Sequence, residues 1–181
     1  MDVPMTQPQD HELERWLGAS RTAEAARARR RSAAWQQHGT ADASLVGVML
    51  DLADLGVEVM VSLTNGHDHR GRILEVAPDW MIIAKRSGDL ALCRSRCIAS
   101  ITCTERRRSF GSRTCSDTTG FAAVLERIGV ERIVSLWCGM AAIHGELELV
   151  GDELAVLTSG ATNRHHVPLE AVDEATVSAR P

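Results

Sequence analysis

A regular alternation of apolar and polar residues runs through the middle of the chain and predicts an antiparallel sheet. In segment 57–63 every second residue is Val or Leu, which is the pattern of a strand with one buried face. Turn signals at 64–66, 77–79 and 87–89 separate this run from the apolar runs that follow it. Gly71 lies at the start of the second run, where a missing side chain permits a sharp bend or a close approach. The predicted strands span residues 57–63, 71–76, 80–84, 90–93 and 97–103.

Helical periodicity precedes these strands. Apolar residues at spacings of three and four fill segment 45–55, and Gly56 is placed to end the helix. Either Asp42 or Ser44 can cap its start. Further upstream, the Ala- and Arg-rich stretch 11–37 has high helix propensity. The sequence therefore predicts an N-terminal helical arm and a short amphipathic helix before the first strand.

The pattern of helix and strands occurs twice. Residues between Leu52 and Gly66 recur as identical or similar residues 73 positions later, between Leu125 and Gly139. One inserted residue then changes the offset to 74, so that Gly71 matches Gly145. A β-hairpin tolerates such an insertion when both flanking registers are kept. We therefore predict two copies of a helix followed by five strands.

This doubling predicts the domain organisation. A polar start and helical arm occupy residues 1–40, and the first domain spans 41–103. An Arg- and Ser-rich linker without apolar periodicity spans 104–119, and the second domain spans 120–178. Each predicted domain is near the lower size limit for an independent core, so we expect the two to share a face or to pair edge strands. Edge strands left over at either end are candidates for self-assembly.

Composition restricts the class of protein. Hydrophobic residues make up 44% of the 181 residues, but with no Tyr and two Phe the core is expected to be aliphatic. The net charge of −4 excludes a polycation that binds nucleic acid by bulk electrostatics. The five cysteines are odd in number, no secretory hydrophobic region precedes them, and no apolar run is long enough to span a membrane. These features predict a reduced cytoplasmic protein with no membrane partner.

The first copy contains a characteristic set of residues: Val61, Leu63, Asn65, Gly66, Gly71 and Ile73, then Asp79, the strand 80–83 and the closing segment 93–101. With these residues the first copy resembles the Sm-like superfamily, which includes the LSm and Hfq-type proteins. The chain as a whole also resembles a group of bacterial proteins that combine an N-terminal helical arm with Sm-like sheets.

The resemblance implies a mainly β fold of two tandem, small, five-stranded bent barrels, each preceded by a short helix. It also implies side-by-side assembly and binding of single-stranded RNA. By position, Trp80 corresponds to the base-stacking residue and Arg94 to the supporting arginine. Ile82 stands where the family has Asn, and Ser95 stands where it has Gly. The second copy has Val167, Pro168 and Leu169 at the corresponding segment, without arginine or aromatic residue.

Several arginines are candidates for phosphate contacts. Arg94 and Arg96 alternate at a strand end, and the others lie in the helical arm and the linker. Each candidate also has an alternative interpretation. Arg94 and Arg96 can form a rim salt bridge, the arginines of the arm can lie on a solvated helix face, and those of the linker can be solvated. Trp80 can lie in the core. The predicted nucleic-acid-binding residues are Trp80, Arg94, Arg96, Arg27, Arg30, Arg31, Arg106 and Arg107.

Motifs for catalysis are missing from the sequence. It contains no GxSxG, P-loop or GxGxxG segment, so we predict no enzyme activity. His67 and His69 are two residues apart, but two histidines of a hairpin loop are more often surface polar residues than metal ligands. Cys93 and Cys97 are expected to be buried structural residues. The sequence therefore predicts no metal site and no cofactor.

Two functions remain open at this stage. One is a binding module that contacts single-stranded RNA or DNA through the first domain and the N-terminal arginines. The other is an oligomerising scaffold that binds a second copy or another protein through its edge strands and N-terminal helix. The arginine clusters favour the first function, and the acidic second copy favours the second.

Overall fold

Ten antiparallel strands form one open sheet in the computed structural model, which describes residues 43–103, 111–160 and 162–179. The strands are β1 (Glu58–Leu63), β2 (Asp68–Val76), β3 (Trp80–Lys85), β4 (Leu90–Arg94), β5 (Ile98–Cys103), β6 (Ile133–Cys138), β7 (Ala141–Val150), β8 (Leu154–Ser159), β9 (Asn163–Pro168) and β10 (Glu174–Val177). Their order in the sheet is β5-β1-β2-β3-β4-β10-β6-β7-β8-β9. Two α-helices occur in the described residues, α1 (Leu45–Leu55) and α2 (Phe121–Gly129).

The prediction of two tandem five-stranded barrels is wrong. Strand β10 pairs with β6 on one side and with β4 on the other, so all ten strands belong to a single sheet. The pairing of β10 with β4 runs from Glu174 opposite Cys93 to Val177 opposite Leu90, and we call it the β4–β10 joint. Apolar periodicity shows which residues form strands, but it carries no information on which backbone edge each strand pairs with. In the joint, the backbone N–H and C=O groups of the β4 and β10 edges pair with each other, whereas separate barrels would leave both edges unpaired.

The two halves of the sheet have the same strand order. In the first half, β1–β5, the order is 5-1-2-3-4, and in the second half, β6–β10, the corresponding strands follow in the same sequence. Each half also has a register shift at the same place, between Ile73 and Glu75 in β2 and between Leu147 and Leu149 in β7. Strands β5 and β9 form the two outer edges.

Helix α1 begins and ends as the sequence predicts. The side chain of Ser44 accepts a hydrogen bond from the backbone N–H of Gly47 at 2.9 Å, which makes Ser44 the N-cap. Gly56 ends the helix in the left-handed conformation with φ of 60°, where glycine carries no steric penalty. Met49 and Leu52 on one face are buried against the first half of the sheet. The apolar stripe therefore holds α1 on the sheet.

The buried apolar residues that the structure describes form two clusters. One lies in the first half, where α1 packs on inward-facing residues such as Val61 and Ile83. The other joins the second half and α2 to the opposite face of β3, which contributes Trp80 and Ile82. Strand β3 is thus buried on both faces, as its continuous apolar sequence allows.

Residues 111–119, within the predicted linker, lie against the first half of the sheet. The backbone of Gly111 accepts a hydrogen bond from Ser44 N–H and donates one to the Asp51 carboxylate, both at 2.9 Å. Further along, the Cys115 thiol contacts the carbonyl of Val76 at 3.2 Å. This segment packs on the domain, whereas residues 104–110 and the predicted arm, 1–40, lie outside the described residues.

Close packing of Gly47 against Gly111 gives a testable stability prediction. A Cβ at position 47 would lie 2.0 Å from the backbone oxygen of Gly111, so the segment or the helix would have to shift. We expect Gly47→Ala to lower the free energy of unfolding by about 1–3 kcal/mol because of this overlap. Alanine has the higher helix propensity, so without the contact the substitution would stabilise the protein.

Urea denaturation followed by circular dichroism measures this effect. Gly151→Ala is the matched control, since the nearest atom to its added Cβ is at 3.7 Å. A Gly47→Ala protein as stable as the wild type would show that residues 111–119 do not pack on α1.

Gly71 lies where the chain makes a close approach, as expected from the sequence. A Cβ on Gly71 would be 2.1 Å from the carbonyl oxygen of Ala84 on β3. Gly145 of β7 approaches the carbonyl of Thr158 in the same way, at 2.5 Å. Both positions therefore require glycine for contact with the neighbouring strand.

In the part of the chain that the structure describes, no helix has the length and apolarity needed to cross a bilayer.

Candidate functional site

Trp80 lies in the core at the start of β3. Its side chain is 0% exposed, and its indole N–H donates a hydrogen bond to the carbonyl of Thr119 at 2.7 Å. Stacking on a nucleic-acid base requires an exposed ring face. In this conformation the ring of Trp80 offers none, which agrees with the alternative of a core tryptophan.

Arg94 binds the second half of the sheet. Its guanidinium donates to the carbonyls of Leu169 and Val172 at 2.9 and 3.4 Å. It also lies 4.0 Å from the centre of the Phe121 ring, a cation–π contact, and 3.3 Å from the Asp79 carboxylate. Burial, with a smaller contribution from the charge of Arg96, lowers the pKa of Arg94. The side chain is 15% exposed, and its contacts stabilise the β4–β10 joint.

Arg96 also contacts the second half but remains more exposed. It donates to the carbonyl of Glu170 at 2.6 Å and lies 3.7 Å from the carboxylate of Asp173. This matches the alternative of a rim salt bridge, although the exposed side of the guanidinium is accessible. The other predicted arginines, Arg27, Arg30, Arg31, Arg106 and Arg107, lie outside the described residues.

A shallow groove of about 490 Å³ runs beside Arg94. Three carboxylates line it, those of Asp152, Glu153 and Glu170. Carboxylates repel phosphate, and the groove is therefore poorly suited to a nucleic-acid backbone.

A buried polar cluster lies at the β4–β10 joint. The Glu174 carboxylate is 1% exposed and accepts hydrogen bonds from His67 Nδ1 at 2.8 Å and His69 Nε2 at 2.7 Å. Burial alone would raise the pKa of Glu174, but the hydrogen bonds from His69 and His67 outweigh it and lower that pKa. Because an ionised carboxylate only accepts, both facing ring nitrogens carry protons. We call Glu174, His67 and His69, together with Cys93, the joint cluster.

Cys93 lies directly opposite Glu174 in the β4–β10 pairing, so that both side chains are on one face of the sheet. Burial, and then the charge of Glu174, raises the pKa of the Cys93 thiol, which keeps its proton. His69 reaches this cluster from β2, three strands away from β10, because the sheet curves strongly. The Trp137 ring contacts His67 edge-on, with centroids 4.1 Å apart.

Two expectations about these residues have different outcomes. The expected burial of Cys93 and Cys97 is confirmed. The expectation that both histidines are surface residues is wrong for His69, which is 5% exposed. In β1 the alternation Val61-Ser62-Leu63 predicts which residues face the core. His69 lies on the partner strand directly after a hairpin turn, and that position gives no comparable signal of burial. Glu174 was missed because it is 105 residues from His69 in the sequence.

No protein-family model matches the chain, and no curated protein matches it either. The resemblance of the first copy to the Sm-like superfamily therefore stays a prediction.

Proposed function

We propose that the protein is an assembly scaffold that binds further copies of itself through the two edges of its sheet. The observation that carries the proposal is the pairing of β10 with β4, an edge-to-edge joint between two halves of identical strand order. Strand β9 occupies the place in the second half that β4 has in the first. Strand β5 likewise occupies the place of β10. An intermolecular pairing of β9 with β5 would therefore repeat the internal joint.

Such a contact is heterologous, because each copy uses one edge to bind the opposite edge of the next. Contacts of this kind generate a closed ring when the rotation between copies closes, and a filament when it does not. Unpaired edge strands favour this association, since their N–H and C=O groups find hydrogen-bond partners in it.

Exposed apolar residues support the same direction of assembly. At the internal joint, Trp80 is covered by the second half of the chain. The residue 74 positions later is Leu154 at the start of β8, and it is 39% exposed. Leu149 on the neighbouring strand is 56% exposed. The next copy would cover this surface as the second half covers Trp80, which removes apolar area from water.

Nucleic-acid binding is the competing function. In its favour are the arginines of the N-terminal arm and the linker. Against it, Arg94 and Trp80 are engaged inside the protein, and the groove beside Arg94 is acidic. Fluorescence anisotropy with labelled oligo-U and oligo-A at low and high salt tests it, since phosphate contacts weaken steeply as salt rises. Binding that disappears at high salt would favour this competing function.

Light scattering coupled to gel filtration tests the assembly of the full chain. We expect a mass larger than one chain at micromolar concentration, and a shift towards the monomer in Leu154→Asp because a charge would enter the apolar contact. The mass of Leu154→Asp should approach that of one chain as the protein is diluted.

Leu74→Asp is the matched control for the same change of residue type. Leu74 on β2 is 54% exposed and lies away from both edges of the sheet. This variant should assemble like the wild type. A wild-type protein that stays monomeric at all concentrations would refute the proposal, as would equal assembly of Leu154→Asp and Leu74→Asp.

A further inference from the structure

The joint cluster contains a set of metal-ligating atoms. One ring nitrogen of His69, the Cys93 sulfur and one Glu174 oxygen all lie within 4.8 Å of one another, and all three residues are buried. His67 Nδ1 donates to one oxygen of this carboxylate at 2.8 Å and His69 Nε2 to the other at 2.7 Å, so His67 orients the carboxylate from outside the set of three. An imidazole, a thiolate and a carboxylate are ligand types that zinc binds in proteins.

Charge balance favours a divalent ion at this place. With Cys93 as thiolate and Glu174 as carboxylate, two negative charges offset the two positive charges of the ion, and the His69 imidazole binds in its neutral form. A buried site then has no net charge, which limits the cost of burial. The thiolate and the imidazole select zinc over magnesium or calcium, which prefer oxygen ligands.

A separate observation concerns His69 Nδ1. This nitrogen is buried, and it has no hydrogen-bond partner among the described residues. Buried polar atoms are usually paired, and an unpaired one lowers stability. Nδ1 is therefore free to take up the ring proton when Nε2, which faces Glu174, binds an ion.

The distances are compatible with a small adjustment on binding. Bonds of about 2.0–2.3 Å in a tetrahedral zinc site place neighbouring ligand atoms about 3.3–3.7 Å apart. The three atoms of the cluster already lie within 4.8 Å of one another, so small shifts bring them to this spacing. The 2.7 Å contact between His69 Nε2 and Glu174 must lengthen, because the ion takes the place of the proton on Nε2, which moves to Nδ1 of the same ring.

We propose that His69, Cys93 and Glu174 bind a zinc ion at the β4–β10 joint, and that His67 orients the Glu174 carboxylate for it. The ion enters as Zn²⁺, the Cys93 thiol releases its proton to solvent, the proton on His69 Nε2 moves to Nδ1 of the same ring, and no electron is transferred. The ligands come from β2, β4 and β10, so the ion links the two halves of the sheet. In the sequence, the site combines a His-x-His pair in a hairpin with ligands from two distant strands.

Cobalt substitution tests the site directly. Full-length protein, freed of metal with a chelator and kept reduced, is titrated with Co²⁺. We expect one ion per chain to give visible d–d bands and a thiolate-to-cobalt charge-transfer band in the near ultraviolet. Addition of Zn²⁺ should remove both, and Zn²⁺ should also raise the thermal midpoint of the protein.

Variants separate the proposed ligands from other cysteines. Cys93→Ala should lose the charge-transfer band, while Cys115→Ser should keep it because the Cys115 sulfur lies against the carbonyls of Val76 and Asp117, outside the joint cluster. His67→Gln should weaken cobalt binding at least tenfold, because the imidazole that orients the Glu174 carboxylate is lost. His67 is partly exposed, so we expect this variant to fold. Circular dichroism identifies variants that do not fold.

The proposal fails if the folded wild type shows no charge-transfer band on titration, or if the band survives in Cys93→Ala. If Cys93→Ala does not fold, His67→Gln decides: an affinity equal to that of the wild type would overturn the proposal. None of these outcomes depends on the assembly of copies.

Discussion

Replacing Trp80 with Ala is expected to lower the free energy of unfolding by about 3–5 kcal/mol, the cost of removing a large aromatic side chain from a core. The side chain is 0% exposed and joins the cluster between β3 and the second half of the sheet. The substitution also removes the hydrogen bond from the indole to Thr119, so its acceptor loses its partner. Urea denaturation of the full chain, followed by circular dichroism, measures the change.

Leu74→Ala is the control for this substitution, because it removes an exposed leucine from the neighbouring strand and is expected to change stability by less than about 0.5 kcal/mol. Trp80→Phe keeps most of the apolar volume and should retain a larger part of the stability. If Trp80 were instead a base-stacking residue, Trp80→Ala would reduce oligo-U binding while leaving stability nearly unchanged. Anisotropy and denaturation on the same protein therefore distinguish the two readings.

Local signals of helices and turns could be predicted from the sequence with good accuracy. Ser44 and Gly56 bound α1 as expected, since capping depends on neighbouring residues only. Gly71 lies at a close approach to β3, as its position inside an apolar run suggested. The strands predicted between 57 and 103 all appear near their expected bounds. Each of these signals is carried by residues that are close to one another along the chain.

Contacts between distant strands could not be predicted in the same way. The pairing of β10 with β4 joins residues 174 and 93, and no pattern in either strand identifies its partner. The β4–β10 pairing has three consequences that the sequence does not show. All ten strands belong to one sheet instead of two barrels, Arg94 binds carbonyl groups of the second half, and Glu174 faces two histidines. Pairing of edges is settled by the balance of backbone hydrogen bonds and side-chain fit over the whole fold. A single sequence shows neither.

Replacing Glu174 with Leu is expected to destabilise the metal-free protein by about 3–5 kcal/mol, because the buried N–H of His69 and the partly buried N–H of His67 lose their acceptor. Both His67 Nδ1 and His69 Nε2 donate to this carboxylate, which is 1% exposed. Leu has a similar volume, so the loss reports on the polar contacts more than on packing. Urea denaturation in the presence of a chelator removes any contribution from bound metal.

The control for this substitution is Glu146→Leu on β7, an exposed carboxylate whose removal should change stability by less than about 0.5 kcal/mol. A triple variant in which His67, His69 and Glu174 all become Leu removes donors and acceptor together. It should be more stable than Glu174→Leu, because no buried group is then left unpaired. If Glu174→Leu were as stable as the wild type, the carboxylate would not pair with the histidines in solution. If the triple variant were less stable than Glu174→Leu, the histidines would stabilise the joint through packing, independently of the carboxylate.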